Sequence, residues 1–267
     1  RQLEDALNEG FLYKLQQNLP DSDPRQDMDE AEYFDDVKSR CADLDSFNQE
    51  YMCVPMDDAG CFVSYDLMKP CLYGYGEVWE TDLEHCAGEL YAGVDVGRTR
   101  DLTVIWVLEK LAGMYFTRRV ITLQDAPFSE QEAVLYPLLE LPCMRRCGID
   151  QTGLGRQFAE RAQQRYGSAR VEGITFTAGV KEQLAYPLRA LFEDRGIRIP
   201  NDDEILSDIR SLRKSAAAGG GIRFAAEHGA NGHADRFWAL ALAVNAGARP
   251  AQSYLKPIRR RSDRRMF

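Results

Sequence analysis

Three aspartates stand in settings that suit a metal or a phosphate. In YAGVDVGRTRDLTVIWV, residues 91–107, an apolar run from Tyr91 to Val94 delivers Asp95 and is followed at once by Gly97. In GIDQTGLG a second strand, Arg146 to Asp150, ends in Asp150 before a glycine-containing loop. In NGHADRFWALALAV, Asp235 falls in the first turn of a helix whose Ala239, Leu240, Ala243 and Val244 form a narrow apolar face. A strand fixes a carboxylate at its end, while glycine lets backbone or ligand come close. Each acid also has an ordinary reading, Asp95 as a turn residue and Asp235 as an acid complementing the helix dipole. Taken together they say more. Three converging carboxylates repel and raise one another's pKa unless a cation compensates. Oxygen ligands suit Mg²⁺ or Mn²⁺, and two such ions bridged by Asp can activate a water and stabilise the leaving oxygen of a phosphodiester. Asp101, six residues after Asp95, could add a fourth oxygen ligand or orient a metal-bound water; a turn or capping role fits it as well.

The elements that must position these acids follow a regular pattern from Leu90 onward. Tyr91–Val94 and Leu102–Val107 read as a hairpin, and Gly113 turns the chain into a third strand, Met114 to Leu123. Ser129 to Leu139 reads as a helix capped by Ser129, Arg146 to Asp150 as a strand and Gly155 to Tyr166 as a helix. Val171–Phe176 is a fifth strand, Lys181–Asp194 a helix, and Ile197–Ile199 a short extended piece. Asp202–Lys214 reads as a helix, Ile222–Phe224 as a strand and His233–Ala246 as the last helix. Three strands joined by tight turns, then strands alternating with helices, describe an α/β mixed sheet with helices on its faces. If the first and fourth strands are parallel neighbours, Asp95 and Asp150 meet at one edge, where ligands gather in such sheets.

Upstream, Leu3–Leu19 and Asp29–Asp45 read as helices, and the aromatic, cysteine-rich stretch from Phe47 to Glu80 as a connector that packs. The chain divides into an acidic helical and connector segment (1–89), a main domain (90–249) and a basic tail (250–267). With 45% apolar and 28% charged residues among 267, it can bury a core. No apolar run approaches the roughly 20 residues of a membrane helix, so no membrane role is expected. The net charge of −9 conceals a division. Residues 1–90 hold 22 acids against 6 bases and the remainder 20 against 27, so the second part could face a polyanion. Seven cysteines, with no C-x-x-C pair and no histidine at zinc-finger distance, read as reduced thiols.

GVDVGRTRDLTVI, GIDQTGLG and GHADRFWALALA, in this order and spacing, resemble the nuclease domain of phage large terminase subunits, most nearly those of Mu-like phages and prophages. The likeness covers roughly residues 47–248, with FNQEYMCVP similar to the segment preceding the nuclease there. It implies a ribonuclease H-like fold and an endonuclease that cuts double-stranded DNA concatemers during genome packaging. Two Mg²⁺ or Mn²⁺ ions would serve it, with little sequence preference. It also implies portal and small terminase subunit as partners, in the host cytoplasm. Under this likeness Asp95, Asp150 and Asp235 are the catalytic, metal-holding acids, and Asp101 matches an auxiliary acid of some members. A complete terminase also carries a packaging ATPase, but these residues contain no G-x-x-x-x-G-K-[ST] loop. The likeness therefore implies the nuclease part with the end of the motor domain or its linker, and gives no ground for claiming translocation.

Arg98 and Arg100 flank the Asp95 loop, Lys181 begins a helix, and Arg210, Arg213 and Lys214 end another just before a glycine run. Such cations would neutralise phosphates and give salt-sensitive, sequence-tolerant DNA binding, although solvated faces and helix ends hold similar residues. SAAAGGGIRF suggests a hairpin that could move on DNA, and KPIRRRSDRR a tail that contacts DNA or the portal. Other readings stay open. The actin-like ATP-binding fold also starts with a strand ending D-x-G but needs two such domains. Junction resolvases and RNA-cutting ribonucleases H share the carboxylate geometry. A catalytically silent docking module would have no use for three intact acids.

Overall fold

The computed structural model of the chain describes residues 20, 23–29, 32–33, 36, 61–74, 76–97, 102–216, 222–226 and 234–248. The predicted helix Leu3–Leu19 and most of Asp29–Asp45 lie outside the described residues. So do Arg98, Arg100, Asp101 and the basic tail.

Six strands form one sheet: β1 (Glu89–Asp95), β2 (Leu102–Leu111), β3 (Met114–Gln124), β4 (Met144–Asp150), β5 (Val171–Ile174) and β6 (Ile197–Arg198), in the order β5-β4-β1-β2-β3-β6. The β1–β2 and β2–β3 pairs are antiparallel, which short turns permit; β4 joins β1 in parallel, and β5 joins β4 in parallel. Five consecutive residues of β1 are buried. An unbroken apolar run of this kind belongs to a strand covered on both faces.

The covering helices are α1 (Tyr65–Met68), α2 (Phe128–Glu140), α3 (Gly155–Tyr166), α4 (Ala178–Glu193), α5 (Asp203–Ser211) and α6 (Asp235–Ala248). Alternation along β2 divides the core. Val104, Trp106 and Leu108 pack with α4, α5 and α6, while Ile105 and Val107 pack with α2 and α3 on the other face. Helix α6 is buried along nearly its whole length, more like a core element than an amphipathic surface helix. No described helix is long and apolar enough to cross a membrane.

The connector packs where it is described. Phe62, Val63, Tyr65, Met68, Cys71 and Tyr73 are buried, and the chain forms bridges at Cys61 with Arg213 and at Leu72 with Ile199. The five described cysteines are free thiols.

Three local expectations are corrected. Ser129 does not cap α2, which starts one residue earlier behind Pro127 without a side-chain cap. Helix α4 begins at Ala178, not Lys181, because the Thr177 hydroxyl accepts from Val180 N and fixes the start there. The helix predicted over Asp202–Lys214 ends at Ser211, and Leu212–Ala216 is instead a strand, β7, paired antiparallel with β8 (Ile222–Ala226). Arg213 and Lys214 therefore stand on a hairpin strand and not at a helix end.

Candidate active site

Strand pairing brings the first two acids together. In the parallel β1–β4 ladder Val94 lies opposite Ile149, so Asp95 and Asp150 follow as the last residues of adjacent strands running the same way. The third acid arrives because α6 lies almost directly on the sheet. A Cβ placed on Gly93 would stand 2.0 Å from the Ala239 carbonyl oxygen, and one on Gly148 would stand 3.2 Å from that of Leu242. At Gly93 only glycine admits a helix backbone this close, and at Gly148 a side chain would crowd it. The first turn of α6 then carries Asp235 to the strand ends.

The electrostatics record the convergence. The Asp95 carboxyl is pushed well above the usual carboxylate range, first by burial, then by the negative charges of Asp235 and Asp150, with Lys181 pulling the other way. Asp150 is also raised by burial, but its Oδ1 accepts from Thr152 N at 2.8 Å and from Thr152 Oγ1 at 2.5 Å, and both bonds favour the ionised form. The same hydroxyl accepts from Phe176 N at 2.8 Å, which ties the loop after β4 to the end of β5. The exit of β1 is held by Gln131, whose Nε2 donates to the Gly97 carbonyl at 3.0 Å.

Lys181, in the first turns of α4, lies over the Trp238 ring at 4.7 Å and the Phe176 ring at 5.4 Å. Trp238 is the residue three past Asp235 on α6, so the ammonium is held beside the acids. Arg213 and Lys214 are placed differently. Arg213 donates to the Cys61 sulfur, and Lys214 lies over the Tyr186 ring at 5.3 Å. The arrangement thus joins Asp95, Asp150, Asp235 and Lys181, whereas Arg213 and Lys214 make their described contacts with the connector and α4.

A fourth acid, Asp208 on α5, stands outside every motif of the sequence. It is 8% exposed, and its pKa is pushed up to about 6 by burial, against the opposing effects of the Phe237 N–H and Arg236. A signal was present: Asp208 falls between Ile205 and Ile209 on the buried face of the helix, where an apolar residue is expected.

The donor set is all oxygen, which fits Mg²⁺ or Mn²⁺ and not a softer metal. Among the described residues no group of three acidic, histidine or cysteine side chains is placed to hold a metal ion. Mg²⁺ does not need three, because it keeps several waters and takes only one or two carboxylates. The mutual repulsion of Asp95, Asp150 and Asp235 is what a bound cation would relieve.

A three-stranded antiparallel meander, extended by parallel strands on the β1 side, with acids at two adjacent strand ends beneath the first turn of a buried helix, defines the ribonuclease H-like class of nuclease folds. Residues 92–246 match the family model of the terminase RNaseH-like domain, and the chain belongs to that family. It is 31% identical over 119 residues to the Mu-like prophage FluMu protein gp28 of Haemophilus influenzae, a match covering 43% of this chain and 23% of the relative. It is 31% identical over 159 residues to the terminase large subunit of Thermus virus P23-45, covering 57% and 30%. The matched part thus spans less than a third of either curated relative. The large terminase nuclease of thermophilic phage G20c, solved with bound magnesium, superposes with a TM-score of 0.57 at 24% identity over 72% of this chain and 98% of that one. Its cobalt-bound structure superposes at 0.51 with 28% identity, over 60% and 81%.

Proposed function

We propose that the chain supplies the nuclease of a phage DNA-packaging machine: a divalent-metal-dependent endonuclease that cuts double-stranded DNA with little sequence preference. The carrying observation is the convergence of Asp95, Asp150 and Asp235, read in the raised pKa of Asp95 and its causes. Family membership and the divalent metals in the structures of the G20c nuclease support the same reading.

In this reading the three aspartates would hold two metal ions, and Asp101 would add a ligand or orient a water. Bound Mg²⁺ or Mn²⁺ would supply the charge that activates water and stabilises the leaving oxygen of the phosphodiester. The protein's own groups do the rest. Thr152 keeps Asp150 ionised and oriented through its two hydrogen bonds. Lys181 offsets the charge of the acids in the free protein and faces a phosphate when DNA is bound. Arg98, Arg100, Arg213 and Lys214 contact the DNA backbone, which carries no base identity and gives tolerance of sequence. Residues 90–249 form the nuclease, 1–89 the connection to a motor domain, and 250–267 a tail for DNA or a portal partner. The small terminase subunit is a further partner, and the setting is the host cytoplasm.

Cleavage of supercoiled plasmid by the purified chain with Mg²⁺, Mn²⁺ or EDTA tests this, with Asp95→Asn alongside. Metal-dependent nicking and linearisation, lost in the variant, is the expected result. No cutting under any metal overturns the proposal; ATP binding would then point to the actin-like reading, and neither activity to a docking module.

A further inference from the structure

We infer that Asp208 is a positioning residue, which caps the first turn of α6 from the neighbouring helix α5 and thereby fixes the carboxylate of Asp235. The inference rests on the nuclease reading and adds a residue to it.

The residue before helix α6 offers it no side-chain cap: Ala234 has φ of 63° and no side-chain acceptor. The first bond closing a helical turn is Trp238 N to the Ala234 carbonyl at 3.0 Å, so the N–H groups before it need partners elsewhere. Asp208 provides one. Its Oδ1 accepts from Phe237 N at 3.0 Å, and the nearby Arg236 favours the ionised carboxylate. These are the two residues that follow Asp235 directly.

A second grip comes from the Arg236 side chain, only 8% exposed, which pairs with Glu204 Oε2 and lies 3.8 Å from Asp208 Oδ2. Glu204 and Asp208 are one turn apart on α5, so one helix holds both the backbone and the side chain beside Asp235. A negative group at the positive end of α6 also suits the helix dipole. Asp235 sits between a left-handed Ala234 and a doubly held Arg236, which leaves its carboxylate little besides its own torsions to move through.

The test compares wild type, Asp208→Ala and Asp208→Asn by amide hydrogen exchange and by metal-dependent plasmid cleavage. In Asp208→Ala, exchange at Phe237 should accelerate while Ala243 in the same helix stays protected. Cleavage at saturating DNA should fall by about tenfold or more, with KM for DNA unchanged, because a misplaced metal-holding carboxylate loses rate and not DNA affinity. Asp208→Asn retains an oxygen that accepts from Phe237 N, so it should restore protection and keep cleavage within about threefold of wild type. Unchanged exchange in a folded Asp208→Ala overturns the inference, as does a folded Asp208→Asn that loses either protection or cleavage. If Asp208→Ala does not fold, Asp208→Asn decides alone on the same two readouts. If the wild type cuts no DNA, the nuclease reading fails, while the exchange comparison still decides whether Asp208 holds the turn.

Discussion

Gly93 on β1 and Ala239 on α6 meet backbone to backbone: a Cβ on the glycine would stand 2.0 Å from the Ala239 carbonyl oxygen and 2.4 Å from Ala243 N. The neighbours on both sides are main chain in a buried helix and cannot swing aside. This contact sets the height of α6 above the sheet, and with it the reach of Asp235 toward Asp95.

Gly93→Ala should therefore lower stability by at least about 2 kcal/mol through overpacking. Where the protein still folds, it should lose cleavage disproportionately, since α6 must lift. Thermal unfolding followed by circular dichroism, set beside plasmid cleavage, checks both. A variant with an unchanged melting temperature would show that the helix yields easily.

Asp95→Asn should abolish cleavage yet stabilise the metal-free protein. The carboxyl's raised pKa means that its ionised form is the disfavoured one in the fold, and asparagine resembles the neutral form at nearly the same volume. In EDTA at neutral pH the variant should melt higher than wild type. Adding Mg²⁺ should raise wild type more than the variant, because only wild type keeps the full set of ligands.

Thr152→Val removes a hydroxyl that donates to Asp150 Oδ1 and accepts from Phe176 N. Loss of a hydrogen bond to the ionised form raises the Asp150 pKa further above its ordinary value. The acidic limb of the cleavage–pH profile should move to higher pH. Activity should fall further below wild type on the acidic side of the profile than on the alkaline side. A parallel profile at uniformly reduced rate would mean that Thr152 acts only on loop structure.

The stability of the metal-free protein should fall as pH rises from about 4 to about 6. Asp208 ionises near 3.8 when unfolded and at about 6 when folded. Below that window both states are protonated; within it the unfolded chain releases its proton first, and above it the full loss is in place. Burial makes this one group worth on the order of 3 kcal/mol, and Asp208→Asn should flatten the corresponding part of the curve. Urea unfolding in EDTA across this range measures it.

The sequence shows Asp95, Asp150 and Asp235 because each sits at a punctuation point, two at strand ends before glycine-containing loops and one in the first turn of a small-residue helix. It shows the sheet because β2 and β3 are long, β-branched and joined by Gly113. Two features escape it for physical reasons. Leu212 continues the helical spacing of Ile205 and Ile209, so periodicity carries α5 into what tertiary pairing with Phe224 and its neighbours makes β7. Asp208 reads as an ordinary helix charge, because its partners, Arg236 and the Phe237 N–H, lie 28 and 29 residues away in the chain. Arg98, Arg100 and Asp101 lie outside the described residues.

The connector's two bridges have a mechanical meaning. Phe62 N donates to the Leu212 carbonyl at 2.8 Å, and around Leu72 the chain exchanges bonds with Ile199, from Ile199 N to Cys71 O at 2.9 Å and from Tyr73 N to Ile199 O at 3.0 Å. Arg189 adds a bond from α4 to the Phe62 carbonyl at 2.8 Å. A pull entering at Cys61 would be shared with the hairpin and with the edge strand β6 before it reached β1. Held at Phe62, Cys71 and Tyr73, the stretch is built as an anchorage and not as a swivel.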